Sequence, residues 1–327
     1  MPLYEKHHSF GEFIFDWGWA SAAQRAGIPY YPKLVSQIPY TPVTGPRLLV
    51  KRGENPEPLW EYLRQGAEQV AKRIRACSVN VLFNTAEEHH FLASKGWSGR
   101  DSYQFHWVNE SGWRNFEDFL GALRSPDRKK IRRERRDVVE QGLNPILKRG
   151  TELTPGDWDV LWELYLLTQT SKGSQPYLTR GFFRWMAEKL PHRVVATLAS
   201  EGGRVVAGSL FLQKGQGLYG RYWGDYGQHP FLHFELCYYL PIEWALAQGI
   251  TRVEAGAQGE HKLKRGFMPR PCYSNHWIRH PGLARAITNW LPDEAEQVKL
   301  EMSTLADLGP FRRDVAPGDG GGQMNDL

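Results

Sequence analysis

The alternation of apolar and polar positions divides the chain into short elements of both kinds. From residue 143 onward, LNPILKR (143–149) reads as a strand and PGDWDVLWELYLLTQT (155–170) as an amphipathic helix. A second helix is expected over 179–190, with Thr179 as its N-cap. The run from His192 to Tyr226 reads as three strands joined at Glu201-Gly202-Gly203 and Gly215-Gln216-Gly217, both with hairpin chemistry. FELCYYLPIEWALAQG (234–249) predicts a helix ending on a glycine, kinked by Pro241. Strand TRVEAGA (251–257), helix GEHKLKRG (259–266) and strand CYSNHWIR (272–279) complete the order β, α, α, β, β, β, α, β, α, β. Upstream, YYPKLVSQIPYTP (30–42) is extended and PEPLWEYLRQGAEQVAKRI (56–74) helical. Strand VNVLFNT (79–85), helix AEEHHFLASKG (86–96) and strand SYQFHWVN (102–109) follow.

The two halves repeat. Lys95-Gly96-Trp97 matches Arg265-Gly266-Phe267, and Tyr103, His106, Trp107 and Val108 match Tyr273, His276, Trp277 and Ile278, every pair 170 residues apart. The pairs Glu88-His89 and Glu260-His261 follow the two upstream strands in the same way, displaced by two from that register. The element order of the second half resembles the GNAT acyltransferase fold, a mixed sheet splayed between its central strands. The chain therefore reads as α/β, with tandem GNAT-like domains: an incomplete one over 1–115, a second over 116–300, and a flexible tail over 301–327. The offset sets Met1 opposite Ser171, so the front of the first repeat has no counterpart. Either the domain is reduced or the start lies inside a longer gene. One face or edge of its sheet is then expected to be less protected, near Phe13, Phe15, Trp17 and Trp19.

Length and composition agree with this. At about 150 residues per domain, 327 residues favour two domains. Apolar residues at 41% and charged residues at 24% exclude wholesale disorder and a collagen-like fibre. Cys77, Cys237 and Cys272 stand far apart, which suits a reducing compartment and no disulfide scaffold. No apolar run approaches the roughly 18 residues of a membrane span, and the N-terminus lacks a signal-peptide layout, so a cytoplasmic protein is expected. The net charge of +5 hints at anionic partners.

Chemistry concentrates in three segments. Glu254-Ala-Gly-Ala-Gln258-Gly-Glu260-His261-Lys262-Leu-Lys264-Arg265-Gly266-Phe267 follows a strand and opens a helix. Gln258, Gly259 and Glu260 are then expected near a helix N-terminus, where N–H groups favour anions. A solvated helix face with ordinary ion pairs is the plain alternative. The second segment runs from Tyr219 to Glu235. Strand alternation puts Arg221, Trp223 and Asp225 on one face and Tyr222 and Tyr226 on the other. His229 and His233 are candidate bases in the loop beyond, although a lone histidine there is more often structural. The third segment, Arg124 to Arg136, holds eight basic residues in 13. Its Arg132, Arg133, Arg135 and Arg136 read either as a phosphate-binding edge or as a solvated helix. No metal-ligand spacing occurs, so no metal is expected. The glycine-rich pyrophosphate loop of GNAT enzymes is also missing, since GQHPFLHF (227–234) stands where it belongs.

Together the segments resemble the FemAB-like predicted N-acyltransferases, a bacterial family related to the FemABX aminoacyl transferases of peptidoglycan biosynthesis. The matching stretches are YYPKLVSQIPYTPVTGPRLL (30–49), RKKIRRERR (128–136), PYLTRGFF (176–183), LYGRYWG (218–224), HPFLHFELCYY (229–239) and VEAGAQGEHKLKRGFMP (253–269). The resemblance implies acyl or aminoacyl transfer from an activated donor to an amine, linked to peptidoglycan precursors. It leaves the donor open between acyl-CoA and aminoacyl-tRNA, and implies no permanently bound cofactor. FemABX proteins carry a Phe-Lys-x-Gly-Phe motif whose lysine is thought to stabilise the transfer intermediate, and Leu263-Lys264-Arg265-Gly266-Phe267 matches it but for the first aromatic. Lys264 or Lys262 is thus the expected oxyanion partner, and His261, His233 or Glu260 the expected proton acceptor. Gln258, Arg265, Arg221, Tyr222, Trp223, His229, Glu235 and Glu254 are expected to line the substrate site. The rival reading is a non-catalytic GNAT-like binding protein that holds a phosphorylated partner, RNA or nucleotide-linked, through 128–136.

Overall fold

The computed structural model describes residues 1–171, 173, 175–257 and 259–312. They form two compact units: Met1–Gln104 with Pro269–Asp307, and Phe105–Met268 with the segment from Leu308 onward. The units are therefore not the sequential blocks 1–115 and 116–300. The reason lies in the repeat. The last strand of the second repeat is built into unit 1, and the end of the corresponding strand of the first repeat is built into unit 2.

Unit 1 contains β1 (Tyr4–Lys6), α1 (Trp17–Arg25), β2 (Lys33–Ser36), α2 (Pro56–Ile74), β3 (Ser78–Asn84), α3 (Ala86–Ser94) and the first residues of β4 (Ser98–Val108). It also holds nearly all of β10 (Met268–Ile278), and α10 (Pro281–Asp307). The strand order is β1-β2-β3-β10-β4. β2 and β3 run parallel, while β1 and β10 are antiparallel to their neighbours β2 and β3. On β10, adjacent Trp277 and Ile278 serve opposite faces. The Trp277 face packs beneath α2 and α3, through Ala67, Ala71 and Leu92 against Val79 and Val81. The Ile278 face packs beneath α1 and α10, through Trp19, Ala23, Leu283, Ile287 and Leu291. Both faces are covered, contrary to the expectation of a less protected one. Trp19 is buried in that second layer, while Phe13, Phe15 and Trp17 are exposed. The helix that supplies the cover, α10, begins inside the expected second domain and runs into the expected tail.

Unit 2 continues with α4 (Phe116–Ala122), α5 (Ser125–Glu140), β5 (Asn144–Arg149), α6 (Pro155–Ser171), α7 (Arg180–Lys189), β6 (Val194–Glu201), β7 (Arg204–Lys214) and β8 (Gly217–Asp225). A helix over 232–247 and β9 (Arg252–Glu254) complete it. The order is β4-β9-β8-β7-β6-β5, antiparallel except for the parallel pair β8 and β9. The β6–β7 turn is Gly202-Gly203 with φ of +55° and +84°, the two left-handed residues that match the twist of paired strands. Thr179 caps α7 by accepting the N–H of Phe182. α6 and α7 cover one face through Trp158, Leu161, Tyr165, Phe183 and Met186. Val138 of α5 with Leu232 and Leu236 covers the other. The alternation expected along β8 is observed: Tyr222 joins the α6–α7 layer, and Trp223 the opposite one.

Candidate active site

The site is organised by an irregular helix. Leu232–Phe234 and Leu240–Ala247 are α-helical turns, here α8 and α9, and Glu235–Tyr239 between them is a π-helix. Pro241 explains it. Leu240 N–H donates to Glu235 O, five residues back, and the next donor position is a proline without an N–H. The stranded Leu236 carbonyl instead accepts from Thr197 Oγ1 at 2.8 Å and Ser209 Oγ at 3.2 Å, both inside the sheet. The proline thus produces a widened helix rather than a kinked one. The widened turn presents Cys237, Tyr238 and Tyr239, all buried.

β8 and β9 are paired only as far as Tyr219 and Glu254; β9 ends there, and β8 continues to Asp225. This is the splay of a GNAT-like sheet. Beside it, the expected helix over 259–266 is a 3-10 turn, Glu260–Arg265, ending on Gly266 at φ +87°. A Cβ at Gly266 would lie 2.8 Å from the Phe119 ring, so only glycine fits the close approach. The turn sends its side chains in different directions. Lys262 points inward, 2% exposed, with Nζ donating to Gly256 O at 2.6 Å. Burial pulls its pKa down to about 8, with the neighbouring Cys237 acting weakly in the other direction. Lys264 donates instead to the Leu308 carbonyl at 2.8 Å, on an exposed side. Glu260 is exposed. Gln258 lies outside the described residues.

His261 is exposed, yet its Nε2 lies 2.8 Å from the Tyr238 hydroxyl. Desolvation first, then the charges of Lys262 and Arg265, lower its pKa below the ordinary histidine value. Its ring is 6.0 Å from that of His233, which in turn meets Trp223 and Tyr238 edge-on at 5.2 Å each. Trp223, His233, Tyr238 and His261 therefore form one wall beside the end of β8. Burial raises the pKa of the Cys237 thiol to about 12, which keeps it protonated at neutral pH.

Most of the remaining candidates are held by partners within the fold. Arg265 donates to both oxygens of buried Glu134 at 2.7 and 2.9 Å, to Tyr239 OH and to His261 O, and lies 3.4 Å from the Phe234 ring centre. Tyr239 OH closes this network on Glu134. Glu235 is buried and held by Arg135 at 2.9 Å. Desolvation raises its pKa, and the Arg135 charge opposes that rise. Arg221 lies over the Tyr222 ring, which packs against Tyr165. His229 is fixed by Asp225 at 2.9 Å. On α5, Ile131, Glu134 and Val138 face inward. Arg135 binds Glu235 and Glu243, Arg132 pairs with Glu117, and Arg136 with Asp137 and Glu140. Lys129, Lys130 and Arg133 are exposed and carry no ion pair among the described residues. The structure thus gathers Lys262, His261, His233 and Trp223 at the splay.

Sequence reasoning passed over Tyr238 and Cys237, because a helix read at 3.6 residues per turn gives no sign of the π segment that turns them; Pro241 was the available signal. Among the described residues no group of three or more His, Cys, Asp or Glu is placed to hold a metal ion. None of their helices is long and apolar enough to cross a membrane.

Comparison with known proteins places this geometry. L-PGS from Bacillus licheniformis superposes with a TM-score of 0.53 at 10% identity, over 81% of this chain and 84% of that one. The C-terminal DUF2156 domain of an Agrobacterium fabrum protein named as a lysylphosphatidylglycerol synthetase gives 0.51 at 10% identity, over 71% and 77%. FemX gives 0.49 at 11% identity, over 80% and 84%. At such identities the likeness is one of fold, a tandem GNAT-like architecture. No curated protein sequence matches this one. The FemAB-like family model, described as peptidoglycan biosynthesis/recognition, matches residues 1–313 and so takes in both units, the splay and the 3-10 turn: the chain belongs to the FemAB-like family.

Proposed function

We propose that the protein is an N-acyltransferase that moves an acyl or aminoacyl group from an activated donor to an amine at the splay of unit 2. The observation that carries this reading is the inward lysine beside the open end of β9: Lys262, buried, its ammonium donating to the Gly256 carbonyl at 2.6 Å. An amine attacking the donor carbonyl creates an oxyanion, and a desolvated ammonium next to it lowers the barrier most in a low-dielectric site. His261, whose pKa is held below the ordinary histidine value by desolvation and by the charges of Lys262 and Arg265, takes the first proton from the acceptor's ammonium. Trp223, His233 and Tyr238 form the wall against which the donor lies. Lys264, the lysine matched by family motif, is tied to Leu308 O, so Lys262 is the better-placed partner for the oxyanion.

The family description supports an acceptor among peptidoglycan precursors, and the resemblance to the FemABX aminoacyl transferases favours an aminoacyl donor. The test supplies radiolabelled total aminoacyl-tRNA or acetyl-CoA with a UDP-linked muramyl pentapeptide, and follows label into an alkali-stable amide. Transfer abolished by Lys262→Met and kept by Lys264→Met agrees with the reading. Absence of transfer from either donor refutes it in favour of a binding protein.

A further inference from the structure

The internal duplication supplies its own control for one pair of residues. On β10 of unit 1, His276 sits opposite Asn80 of β3; on β4 of unit 2, the repeat-equivalent His106 sits opposite Glu254 of β9. The flanking positions correspond too, Trp277 with Val79 and Trp107 with Val253. In unit 1 the pair is closed. His276 Nδ1 meets Asn80 Oδ1 at 2.8 Å and its Nε2 meets Ser274 Oγ at 3.0 Å, and the group is wholly buried. In unit 2 the amide is replaced by a carboxylate. Glu254 is 4% exposed, and among the described residues neither of its oxygens accepts a hydrogen bond. His106 Nε2 stands 3.7 Å away and Arg252 Nε 3.2 Å, while Arg252 Nη2 is directed to Tyr219 OH on β8. An unsatisfied buried carboxylate is costly, and the duplicate shows that this fold position can be filled without that cost. It also lies on the residue where β8 and β9 part.

We infer that Glu254 and His106 form a second proton-accepting pair of the same site, His106 taking the proton and Glu254 positioning and stabilising its charged ring. This rests on the acyl-transfer reading. The stoichiometry leaves a place for such a group. An ammonium acceptor that becomes an amide loses two protons: one before attack, assigned to His261, and one from the nitrogen of the tetrahedral intermediate. The C–N bond forms from the amine lone pair. The pair receives the second proton, and the collapsing intermediate expels the donor's oxygen or sulfur, which takes that proton up. Among the described residues Arg252, Tyr219 and His106 are charged or titratable groups beside Glu254, and its burial, offset in part by Arg252, raises its pKa to about 7.

The experiment combines infrared titration with a pH–rate profile, using Glu254→Gln and Glu254→Asp in the full chain. The wild type is expected to show a protonated-carboxyl band that disappears between about pH 6 and 8 and is missing in Glu254→Gln. Turnover is expected to rise with pH through that same interval. Glu254→Gln should lose this limb and about 10²-fold in kcat with KM for the acceptor little changed, and Glu254→Asp should restore part of both. An active enzyme whose profile ignores Glu254→Gln, or a carboxyl that titrates at the ordinary value, overturns the inference. A carboxyl titrating near 7 in a chain that transfers nothing overturns the acyl-transfer reading instead, and this role with it.

Discussion

The Tyr238 hydroxyl stands 2.8 Å from Nε2 of His261, joining the π-helix to the 3-10 turn through the one imidazole of the wall that is exposed. If His261 removes the acceptor's first proton, His261→Ala lowers turnover by about 10²–10³-fold with far-ultraviolet circular dichroism unchanged. Tyr238→Phe removes only the partner that orients the ring, so about tenfold is expected. Equal losses for both variants would show that the pair is needed for its shape and not for proton transfer.

Lys262 offers a separation of stability from activity. Its folded pKa, about 8, lies below the ordinary lysine value of 10.5. Below pH 8 the folded and unfolded chains both carry the charge, and the fold bears the whole cost of burying it. Between 8 and 10.5 the folded state sheds its proton first and that cost fades. Lys262→Met is therefore expected to melt higher than wild type at pH 7, with the gain gone near pH 10.5, while turnover falls at least 10²-fold. Removing the charge also lifts the pKa of His261, which histidine NMR titration reads directly. A variant less stable at pH 7 would mean that the bond to Gly256 O outweighs the burial.

What could be read from the residues follows from which forces are local. Thr179, the Gly202-Gly203 hairpin and the alternation of Tyr222 and Trp223 are governed by neighbours in the chain, and each is where the pattern puts it. Partnership between strands is different. SYQFHWV and CYSNHWI have nearly the same pattern, and alternation specifies a strand's faces but not its neighbour, so the exchange of their ends between the units leaves no mark. α10 was missed for another reason. Leu283, Ile287 and Leu291 recur at helical spacing, but Pro292 and a polar second half mask the helix beyond them. Within the site, Lys262 and Lys264 are two residues apart, and an α-helical reading makes neither the inward one. The 3-10 turn decides it.

Thr197 and Ser209 test whether the π segment is held by the sheet. Their hydroxyls are 2.8 Å apart, and both donate to Leu236 O, which has lost its helical partner. Thr197→Val with Ser209→Ala leaves that carbonyl buried and unsatisfied, at about 1–3 kcal/mol. Denaturant unfolding measures the loss. The single variants are expected to cost well under half of the double, because either hydroxyl alone still satisfies the carbonyl. Additive single effects would show that the two bonds are independent and that the π segment does not depend on them.

On α5 the arginines divide into two kinds that salt and stability measurements tell apart. Arg135 is half-buried and neutralises Glu235, whose carboxylate is buried and whose pKa is raised by desolvation. Arg135→Gln strands that carboxylate, and a loss of about 3 kcal/mol is expected, with Glu235 driven toward its protonated form. Lys129, Lys130 and Arg133 face solvent without ion pairs, and replacing all three by Gln is expected to leave stability within about 0.5 kcal/mol of wild type. If this face meets the phosphates of an RNA donor, log affinity for tRNA falls with log salt, by about −0.7 per neutralised phosphate where the contacted strand is single. The triple replacement then flattens that slope by about two units, and Arg135→Gln barely moves it. An unaltered slope in the triple variant would identify these residues as a solvated helix face and leave the donor's docking surface elsewhere on the protein.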